Sequence, residues 1–515
     1  MNYEEAISEV QGNERYNIFM LLAFSIMACV LAMDINSIVF IGYIPSYECS
    51  DESFNRSNVI WIEPECHGNI PTVNGTYKPF QCTKWSFDKT VMNNTIATEF
   101  NLICEKKSYV AIMNTLYLTG MAIGYFISIY GDKIGRIRLI QICAVWEILI
   151  NILLPFMTNI WLIFLMRFLV GLGSGKAYQA ICYLTEIISV KKRSAYANNY
   201  WVLFVLGYML IPGIAYGTRD WRLLRHYMNI PMVLYLIYFW IPESPRWLGV
   251  VGKKKEAQDN LLYIAKRNGQ HFPSNKFDSL LIRVEDKESC SAIVGTRTMR
   301  IKTFVLILAH GTISVSYIGL SINESFISNN IFLNVFIQGS TELLTGPAAW
   351  LSTSKLNRKL SLLLFFITTS ICLPINIFIT DTTTTILVIK SVFAFLGKFT
   401  LNTAYIILDM YLNEVFPTPI RNKAIFTILG IAASFAVLAP TINELDKYVS
   451  LFSLTCYAIM CFIAAILIYW LLPETKGCPL PQTMEEGEMF RKGNEKNYCK
   501  MIYRNSNEIA LMTNM

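Results

Sequence analysis

The feature that most constrains this chain is a series of twelve long apolar segments. They cover about residues 17–44, 108–130, 138–158, 160–189, 195–217, 223–241, 303–321, 329–351, 360–380, 384–412, 423–442 and 448–472. Because roughly 20 apolar residues in a helix cross the hydrocarbon core of a bilayer, each segment predicts one transmembrane helix. Charged residues make up only 16% of the 515 residues, against roughly 25% in soluble domains. The sequence therefore predicts an all-α membrane protein that is surrounded by the lipid bilayer.

Lysine and arginine residues are concentrated in alternate loops between these segments. The loops after segments 2, 4, 8 and 10 contain Lys133, Arg136, Arg138, Lys191, Lys192, Arg193, Lys355, Arg358, Lys359, Arg421 and Lys423. Short cytoplasmic loops of membrane proteins are rich in these residues, so we expect both termini to be cytoplasmic. The loop with Arg219, Arg222 and Arg225 is an exception. The formal net charge of +7 follows this topology, and we expect no nucleic-acid partner.

The longest loop on the predicted outer side, residues 45–107, has the features of an extracellular segment. Three glycosylation sequons begin at Asn55, Asn74 and Asn93. The loop also contains four cysteines, namely Cys49, Cys66, Cys82 and Cys104. An even set of cysteines in an oxidising compartment predicts two disulfides, and the spacing alone leaves three connectivities open.

Two short patterns recur at nearly the same offset along the chain. Glu186 and Arg193 follow segment 4, and Glu414 and Arg421 follow segment 10, 228 residues later. Segments 6 and 12 both end in Pro-Glu, at positions 242 and 473, an offset of 231. Such repeats are typical of transporters built from two similar bundles. We therefore predict a cytoplasmic N-terminus at 1–16, a six-helix bundle at 17–241 that includes the extracellular loop 45–107, a cytoplasmic loop with amphipathic helices at 242–302, a second six-helix bundle at 303–472, and a cytoplasmic tail at 473–515.

The loop motifs resemble those of one transporter family. GDKIGRIR at 131–138, TEFNLIC at 98–104, PESPRWL at 242–248, NEVFPTPIRN at 413–422 and PETKG at 473–477 are similar to the organic cation, organic anion and carnitine transporters of the major facilitator superfamily. The resemblance covers about residues 18–485. It implies the major facilitator fold with twelve transmembrane helices in two six-helix bundles, a plasma-membrane location and no cofactor. It also implies disulfides between Cys49 and Cys82 and between Cys66 and Cys104.

The same resemblance implies a set of gating or structural residues at the ends of the helices. These are Asp132, Arg136, Glu186, Arg193, Glu243, Arg246, Glu414 and Arg421.

Two positions depart from the family pattern. The loop after segment 8 reads SKLNRK at 354–359 and lacks the aspartate and glycine of the first half, so we expect its gating contact to be weaker or absent. Ala433 occupies a position that is acidic in cation carriers and basic in anion carriers.

Ionisable residues inside the apolar segments are functional candidates, because charge is costly in a membrane. They include Asp34, Glu147, Lys176, Glu342, Lys390, Lys398 and Asp409. Glu342 and Lys398 each lie about 13 residues from the outer end of a helix, near mid-membrane at ~1.5 Å per residue. We expect these two to pair, and the family keeps an acid and a base there. Asp34 is a further candidate for binding a positively charged substrate.

Segment 10 carries a polar stripe at helical spacing. Lys398, Asn402, Tyr405 and Asp409 are spaced i, i+4, i+7 and i+11, which places them on one face. In a membrane helix such a stripe faces either neighbouring protein or a water-filled cavity. Both alternatives remain open from the pattern. Asp409 lies about three turns closer to the cytoplasm than Lys398, which favours a gate or packing contact for it.

The resemblance implies that substrate contacts Tyr178, Trp201, Phe204, His310 and Tyr317. Aromatic faces attract ammonium groups through cation–π interactions, although ordinary packing is the alternative for each residue. His310 is also a candidate for a gating or proton-sensitive role.

The predicted function is transmembrane transport of small organic ions by alternating access. GLGSGKA at 171–177 does not match the spacing of a phosphate-binding loop and is better explained by close helix packing. We find no catalytic constellation and no metal site in the sequence, so we expect no enzymatic activity. The expected partners are an organic cation or zwitterion and a co-transported or exchanged ion, and the expected state is a monomer. The alternatives are an organic anion exchanger and a non-transporting membrane receptor.

Overall fold

The computed structural model describes residues 3–51, 60–63, 65–71, 77–270, 290–322, 330–375, 384–417, 419–449, 452–478, 480–481, 483–495 and 497–501. The predicted sequon asparagines Asn55 and Asn74 lie outside these ranges.

Helices occur at all twelve predicted apolar segments. Spans 1 to 6 are Arg15–Asn36 with Ile38–Ile41, Ser108–Ser128, Arg136–Leu153, Ile160–Gly173 with Lys176–Ile187, Val202–Thr218, and Trp221–Met228 with the 3-10 helix Ile230–Trp240. Spans 7 to 12 are Arg297–Ile322, Ile331–Lys355, Arg358–Cys372, Thr384–Val415, Arg421–Ala436 with Ala439–Glu444, and Phe452–Leu471. Within the described ranges, eight of these helices are long and apolar enough to cross a membrane by length and composition.

The helices bury polar residues and expose apolar ones, the reverse of a water-soluble protein. Trp350 is 70% exposed and Trp470 is 67% exposed, whereas Asn151 and His310 are fully buried. This pattern is expected where lipid surrounds the bundle, since a polar side chain in hydrocarbon needs a partner inside the protein. Gly171 belongs to the GLGSGKA segment and packs so closely on span 2 that a Cβ would overlap the carbonyl of Tyr117. That contact agrees with the packing interpretation of the segment.

The loop between spans 1 and 2 contains two small antiparallel sheets. The strands are β1 Tyr47–Cys49, β2 Ile60–Glu63, β3 His67–Pro71, β4 Tyr77–Gln81 and β5 Trp85–Phe87. Strand β1 pairs with β5, and β2, β3 and β4 form a second sheet in that order. Disulfides join Cys49 to Cys82 and Cys66 to Cys104, the connectivity that the family resemblance implies. Asn93 is exposed in this loop.

The repeated Pro-Glu pattern has the same structural role in both bundles. Glu243 accepts hydrogen bonds of 3.0 and 3.1 Å from the first two backbone amides of span 3. Glu474 accepts hydrogen bonds of 3.0 and 3.1 Å from the first two amides of span 9. The first amides of a helix have no partner within the helix, and its N-terminus attracts negative charge. The repeat is therefore explained by a carboxylate that caps an equivalent helix in each bundle.

Shorter helices cover the face of the bundles that is predicted to be cytoplasmic. They include Tyr3–Val10, Gly131–Ile134, Val190–Tyr200, Pro245–Val250, Lys254–Arg267 and Met484–Met489. The remaining short helices are Ile96–Glu99 and the 3-10 helices Cys104–Lys107, Leu154–Phe156, Cys290–Val294 and Leu445–Lys447. Helix Lys254–Arg267 buries Leu261 and Ile264, as expected of an amphipathic helix. In the tail, a disulfide between Cys478 and Cys499, which the sequence does not predict, closes a loop around helix Met484–Met489.

Candidate functional site

A buried polar cluster near the middle of span 10 is centred on Lys398. The Nζ atom donates hydrogen bonds of 2.6 Å to Gln338 Oε1, 2.9 Å to Tyr208 Oη and 3.0 Å to Ser321 Oγ. It also lies 5.4 Å from the centre of the Tyr317 ring. Lys398 is only 5% exposed, so these contacts replace the water that its ammonium group has lost.

Glu342 lies beside this cluster but does not pair directly with Lys398. Its Oε1 atom accepts hydrogen bonds of 2.8 Å from the Tyr317 hydroxyl and 3.3 Å from Asn402 Nδ2. The direct ion pair expected from the sequence is therefore not formed in this conformation. The physical reason is that Gln338, one turn from Glu342 on span 8, reaches the ammonium group of Lys398. The two charges still attract each other at longer range.

Three hydrogen bonds among the described residues in the centre join the first bundle to the second. Lys398 of span 10 donates to Tyr208 of span 5, and the Tyr208 hydroxyl in turn donates a 3.0 Å hydrogen bond to Gln338. Tyr178 of span 4 and Tyr405 of span 10 are hydrogen-bonded through their hydroxyl groups. Lys398 and Tyr405 of the polar stripe therefore contact neighbouring protein at the interface between the bundles, and the lining of a water-filled cavity stays a prediction.

Aromatic side chains of the first bundle form a continuous surface at this interface, which we call the aromatic wall: Tyr125, Tyr178, Trp201 and Phe204. The centres of neighbouring rings are 5.2 Å apart for Tyr125 and Tyr178, 5.5 Å for Tyr178 and Trp201, and 5.7 Å for Trp201 and Phe204. All three pairs have edge-to-face geometry. The hydrogen bond between the Tyr178 and Tyr405 hydroxyls places the wall against span 10.

His310 and Asp409 meet on the other side of Tyr405. The Nδ1 atom of His310 lies 3.7 Å from Asp409 Oδ1, and the His310 ring centre is 6.3 Å from that of Tyr405. His310 is fully buried, while the Asp409 side chain is 25% exposed. Among the described residues, no hydrogen-bond partner contacts either ring nitrogen of His310 or the Oδ1 atom of Asp409.

Asp34 is not free to bind a substrate in this conformation, which corrects one sequence expectation. Its Oδ1 atom forms a 2.6 Å ion pair with Arg225, and both side chains are almost fully buried. Arg225 also donates a hydrogen bond to Asn151. A second buried arginine, Arg167, lies 4.5 Å from the centre of the Tyr117 ring. The negative charge of Asp34 is therefore neutralised by Arg225.

Glu147 and Lys176 also neutralise each other inside the first bundle. Their carboxylate and ammonium groups form an ion pair in which each side chain is 2% exposed. Neither residue is therefore a free charge for substrate binding.

The predicted gating residues form similar networks at the ends of both bundles. Arg136 pairs with Glu186 at 3.0 Å and with Asp132. In the second bundle, Arg358 approaches Glu414 at 3.5 Å, and these two side chains are more exposed. The second contact is thus weaker than the first but not absent.

The loop before span 3 has a glycine, Gly135, where the loop before span 9 has Asn357. The local backbone conformation explains this difference. Gly135 has a φ of +115°, which other residues rarely adopt, and a Cβ there would overlap the Glu243 carboxylate. Asn357, which precedes span 9, has an ordinary φ of −74°. The second loop therefore does not need a glycine to begin its helix.

Three further arginines were predicted to be gating or structural residues at the helix ends. Two of them bind backbone carbonyls, and the third lies in the PESPRWL motif. The Nε atom of Arg193 donates a 3.1 Å hydrogen bond to the carbonyl of Ile188, and Arg421 makes the equivalent 3.1 Å bond to Phe416. Each acceptor lies two residues after the repeated glutamate, which explains the spacing shared by the two halves. Arg246 is half-buried in helix Pro245–Val250.

Sequence reasoning missed three residues that bind Lys398, namely Tyr208, Ser321 and Gln338. A signal for two of them was available. Gln338 lies four residues before Glu342, and Ser321 lies four residues after Tyr317, so each is one helical turn from a predicted residue. Tyr208 carried no comparable signal, because it lies among apolar residues of span 5.

The chain is similar to known membrane transporters over most of its length. The profile of a family described as "Sugar (and other) transporter" matches residues 72–486. The protein "Organic cation/carnitine transporter 2" of Rattus norvegicus is 31% identical over 412 residues, which cover 78% of this chain and 73% of the rat protein. The "Organic cation transporter protein" of Drosophila melanogaster is 27% identical over 472 residues, covering 87% of this chain and 85% of the fly protein.

The fold is similar to that of a solved bacterial transporter. The partially occluded inward open conformation of the xylose transporter XylE from E. coli matches with a TM-score of 0.63 and 18% identity. The match covers 90% of this chain and 100% of XylE. XylE belongs to the major facilitator superfamily, so the predicted fold is confirmed. An identity this low carries no information about substrate.

Proposed function

Because this chain belongs to the sugar and other transporter family, in the branch of the organic cation and carnitine transporters, we propose that it carries small organic cations or zwitterions across the membrane by alternating access. The observation that carries this proposal is the aromatic wall, which meets span 10 through the hydrogen bond between Tyr178 and Tyr405. Tyr405 lies four residues, about one helical turn, before the carboxylate of Asp409. Aromatic faces next to a carboxylate suit an ammonium group, because both attract positive charge.

The contacts between the bundles suit a rocking movement. The polar links in the centre are side-chain hydrogen bonds, such as those from Lys398 to Tyr208 and from Tyr178 to Tyr405. Each is worth only ~1–3 kcal/mol, so substrate contacts can compensate for their loss. Glu342 and Lys398 are 8% and 5% exposed, which means that the centre is closed to solvent in this conformation.

A zwitterion would use both charged regions of the centre. Its ammonium group would lie against the aromatic wall, and its carboxylate would replace Gln338 or Tyr208 as an acceptor for Lys398. An organic anion exchanger remains the second candidate, because Lys398 is a buried positive charge and Ala433 contributes no negative one.

The proposed location is the plasma membrane, with both termini in the cytoplasm and the chain acting as a monomer. The distribution of lysine and arginine in the loops supports this orientation. Asn93 is exposed in the loop with the two disulfides, and we propose it as a glycosylation site on the outer side. We also propose that Tyr317 and Asn402 contact the substrate and that the gating residues hold the ends of the helices together during the transport cycle.

Uptake of three labelled compounds in oocytes tests the proposed function: tetraethylammonium, carnitine and p-aminohippurate. We expect saturable uptake of tetraethylammonium or carnitine in oocytes that express the chain at the surface. Lys398→Ala should reduce carnitine uptake more than tetraethylammonium uptake, because only carnitine has a carboxylate. Uptake of p-aminohippurate alone would indicate the anion exchanger. The absence of all three uptakes, despite surface expression, would contradict the proposed function and favour the receptor.

A further inference from the structure

His310 is a fully buried ionisable group and Asp409 a partly buried one, and both lack hydrogen-bond partners that such groups normally have. They come from spans 7 and 10 of the second bundle, and their nearest nitrogen and oxygen atoms are 3.7 Å apart. That distance is too long for a hydrogen bond. Within the described part of the chain, both ring nitrogens and the Oδ1 atom of Asp409 have no hydrogen-bond partner. By contrast, the buried carboxylates of Asp34 and Glu147 are neutralised by ion pairs with Arg225 and Lys176.

The groups around the pair do not supply the missing positive charge. The titratable groups of the described residues that interact electrostatically with Asp409 are tyrosines, namely Tyr125 of span 2, Tyr178 of span 4 and Tyr405 of span 10 itself. Lys398 lies eleven residues away on the same helix, about 16 Å at the usual helical rise. Its ammonium group is already bound to Tyr208, Ser321 and Gln338.

Over the ranges that the structure describes, the other helices of the second bundle contribute no neutralising charge either. Span 11 faces span 7 with apolar residues, such as Phe435 against Gly311. Cys461 of span 12 faces Ser316, well along span 7 from His310. Glu342 of span 8 is hydrogen-bonded to Tyr317 and Asn402. Span 9 faces span 10 through the hydrogen bond between the Thr369 and Thr400 hydroxyls.

A carboxylate that is partly buried without a charged or hydrogen-bonded partner at one oxygen is costly, and two kinds of ligand would relieve that cost. A proton would convert the pair from a net charge of −1 to zero, either as a neutral carboxylic acid or as an imidazolium facing a carboxylate. An organic ammonium ion against the aromatic wall would supply the same positive charge. Both ligands compensate one carboxylate, so binding of one weakens binding of the other. Ionisable residues within transmembrane segments commonly mark proton pathways.

We propose that His310 and Asp409 form a proton site at which a proton and a cationic substrate compete, so that the transporter exchanges one for the other. This inference rests on the proposed transport of cations. One proton binds when the cation leaves, and that proton leaves when the next cation binds, so the charge of the site is balanced in each half of the cycle. The partial exposure of Asp409 gives water access to the pair, while the fully buried His310 holds the proton inside.

The proton site is tested by infrared difference spectroscopy on the purified full chain in liposomes. Spectra are compared between about pH 5 and about pH 8, the range in which such a site can titrate. We expect an absorption band of a protonated buried carboxylic acid, or bands of a protonated imidazole, that appears at acid pH. The bands should be absent in Asp409→Asn or in His310→Gln, according to which atom carries the proton. Asp259→Asn, which removes an exposed carboxylate from helix Lys254–Arg267, should leave them unchanged.

The competition is tested by equilibrium binding of labelled tetraethylammonium to the same samples. The apparent Kd should rise at acid pH, by up to about tenfold per pH unit, the limit for one competing proton. Asp409→Asn should bind weakly at every pH, and Asp409→Glu should restore both the affinity and its pH dependence. Size-exclusion profiles that match the wild type show that a variant is folded.

Each result supports or overturns a defined part of the proposal. A wild-type Kd that does not change with pH contradicts the competition. Infrared spectra without any band lost in Asp409→Asn or His310→Gln contradict the proton site itself. If the bands titrate as expected but tetraethylammonium does not bind at any pH, the proton site stands and the proposed cation substrate is wrong.

Discussion

Lys398 of the second bundle donates a 2.9 Å hydrogen bond to the hydroxyl of Tyr208 in the first bundle. The same hydroxyl donates a hydrogen bond to Gln338 of the second bundle. Tyr208 therefore links the first bundle to two residues of the second. In place of the direct ion pair with Glu342 that was expected within the second bundle, Lys398 thus makes a contact between the bundles. A movement that separates the bundles must break it, which links the position of Lys398 to the transport cycle.

Tyr208→Phe should weaken the closed conformation. The substitution removes an acceptor from a buried charged donor, a loss of about 1.5–3 kcal/mol. We expect a lower apparent melting temperature of the purified protein and faster exchange of bound substrate. Tyr216→Phe on the same helix is the matched control, because Tyr216 is 59% exposed. Equal melting temperatures for the two variants would contradict a stabilising role of the Tyr208 hydroxyl.

Lys398 should be energetically coupled more strongly to Gln338 than to Glu342. The ammonium group touches Gln338 at 2.6 Å, whereas Glu342 acts through Tyr317 and at longer range. A double-mutant cycle with Lys398→Met, Gln338→Leu and Glu342→Gln measures both couplings from thermal stability. We expect a coupling of about 1–3 kcal/mol with Gln338 and a smaller one with Glu342. The reverse order would restore the direct pair expected from the sequence.

Asp34→Asn should destabilise the first bundle severely. It leaves Arg225 without its ion-pair partner in a buried site, and breaking such a pair costs about 3–5 kcal/mol. We expect little folded protein at the cell surface, with partial recovery in the double variant Asp34→Asn, Arg225→Gln. Glu256→Gln, which breaks the exposed ion pair with Lys253, is the control and should change stability by less than ~1 kcal/mol. Normal surface levels of Asp34→Asn would show that Arg225 finds another partner.

Removing the arginine at the start of span 3 should reduce transport more than removing its counterpart at the start of span 9. Arg136 is 5% exposed and contacts two carboxylates, whereas Arg358 is 19% exposed and lies 3.5 Å from Glu414. Solvent weakens the second contact more than the first. Initial uptake rates of Arg136→Ala and Arg358→Ala, corrected for surface expression, test this order. A larger loss in Arg358→Ala would mean that the second loop is the dominant gate.

The positions of the helices, the division into two bundles and the number of disulfides in the first loop could be predicted from the sequence alone, because they depend on local properties of the chain. The length of each apolar segment predicts a helix at each of the twelve places where one is found. The repeated Glu243 and Glu474 mark the two bundles, since each caps a helix that lies in an equivalent place. The cysteine content of the loop between spans 1 and 2 predicts two disulfides, and the family resemblance implies the pairing that the structure shows.

Only the tertiary structure decided which buried charges neutralise each other. Asp34 and Arg225 are 191 residues apart, and Arg225 lies in a sequence that reads as part of a loop. Gln338 rather than Glu342 binds Lys398, although the two candidates are one turn apart on the same helix. The partner of a buried charge depends on how each helix is rotated and how closely its neighbours approach, to within an ångström. Local periodicity places a residue on a helix face, but the packing of distant segments determines what that face meets.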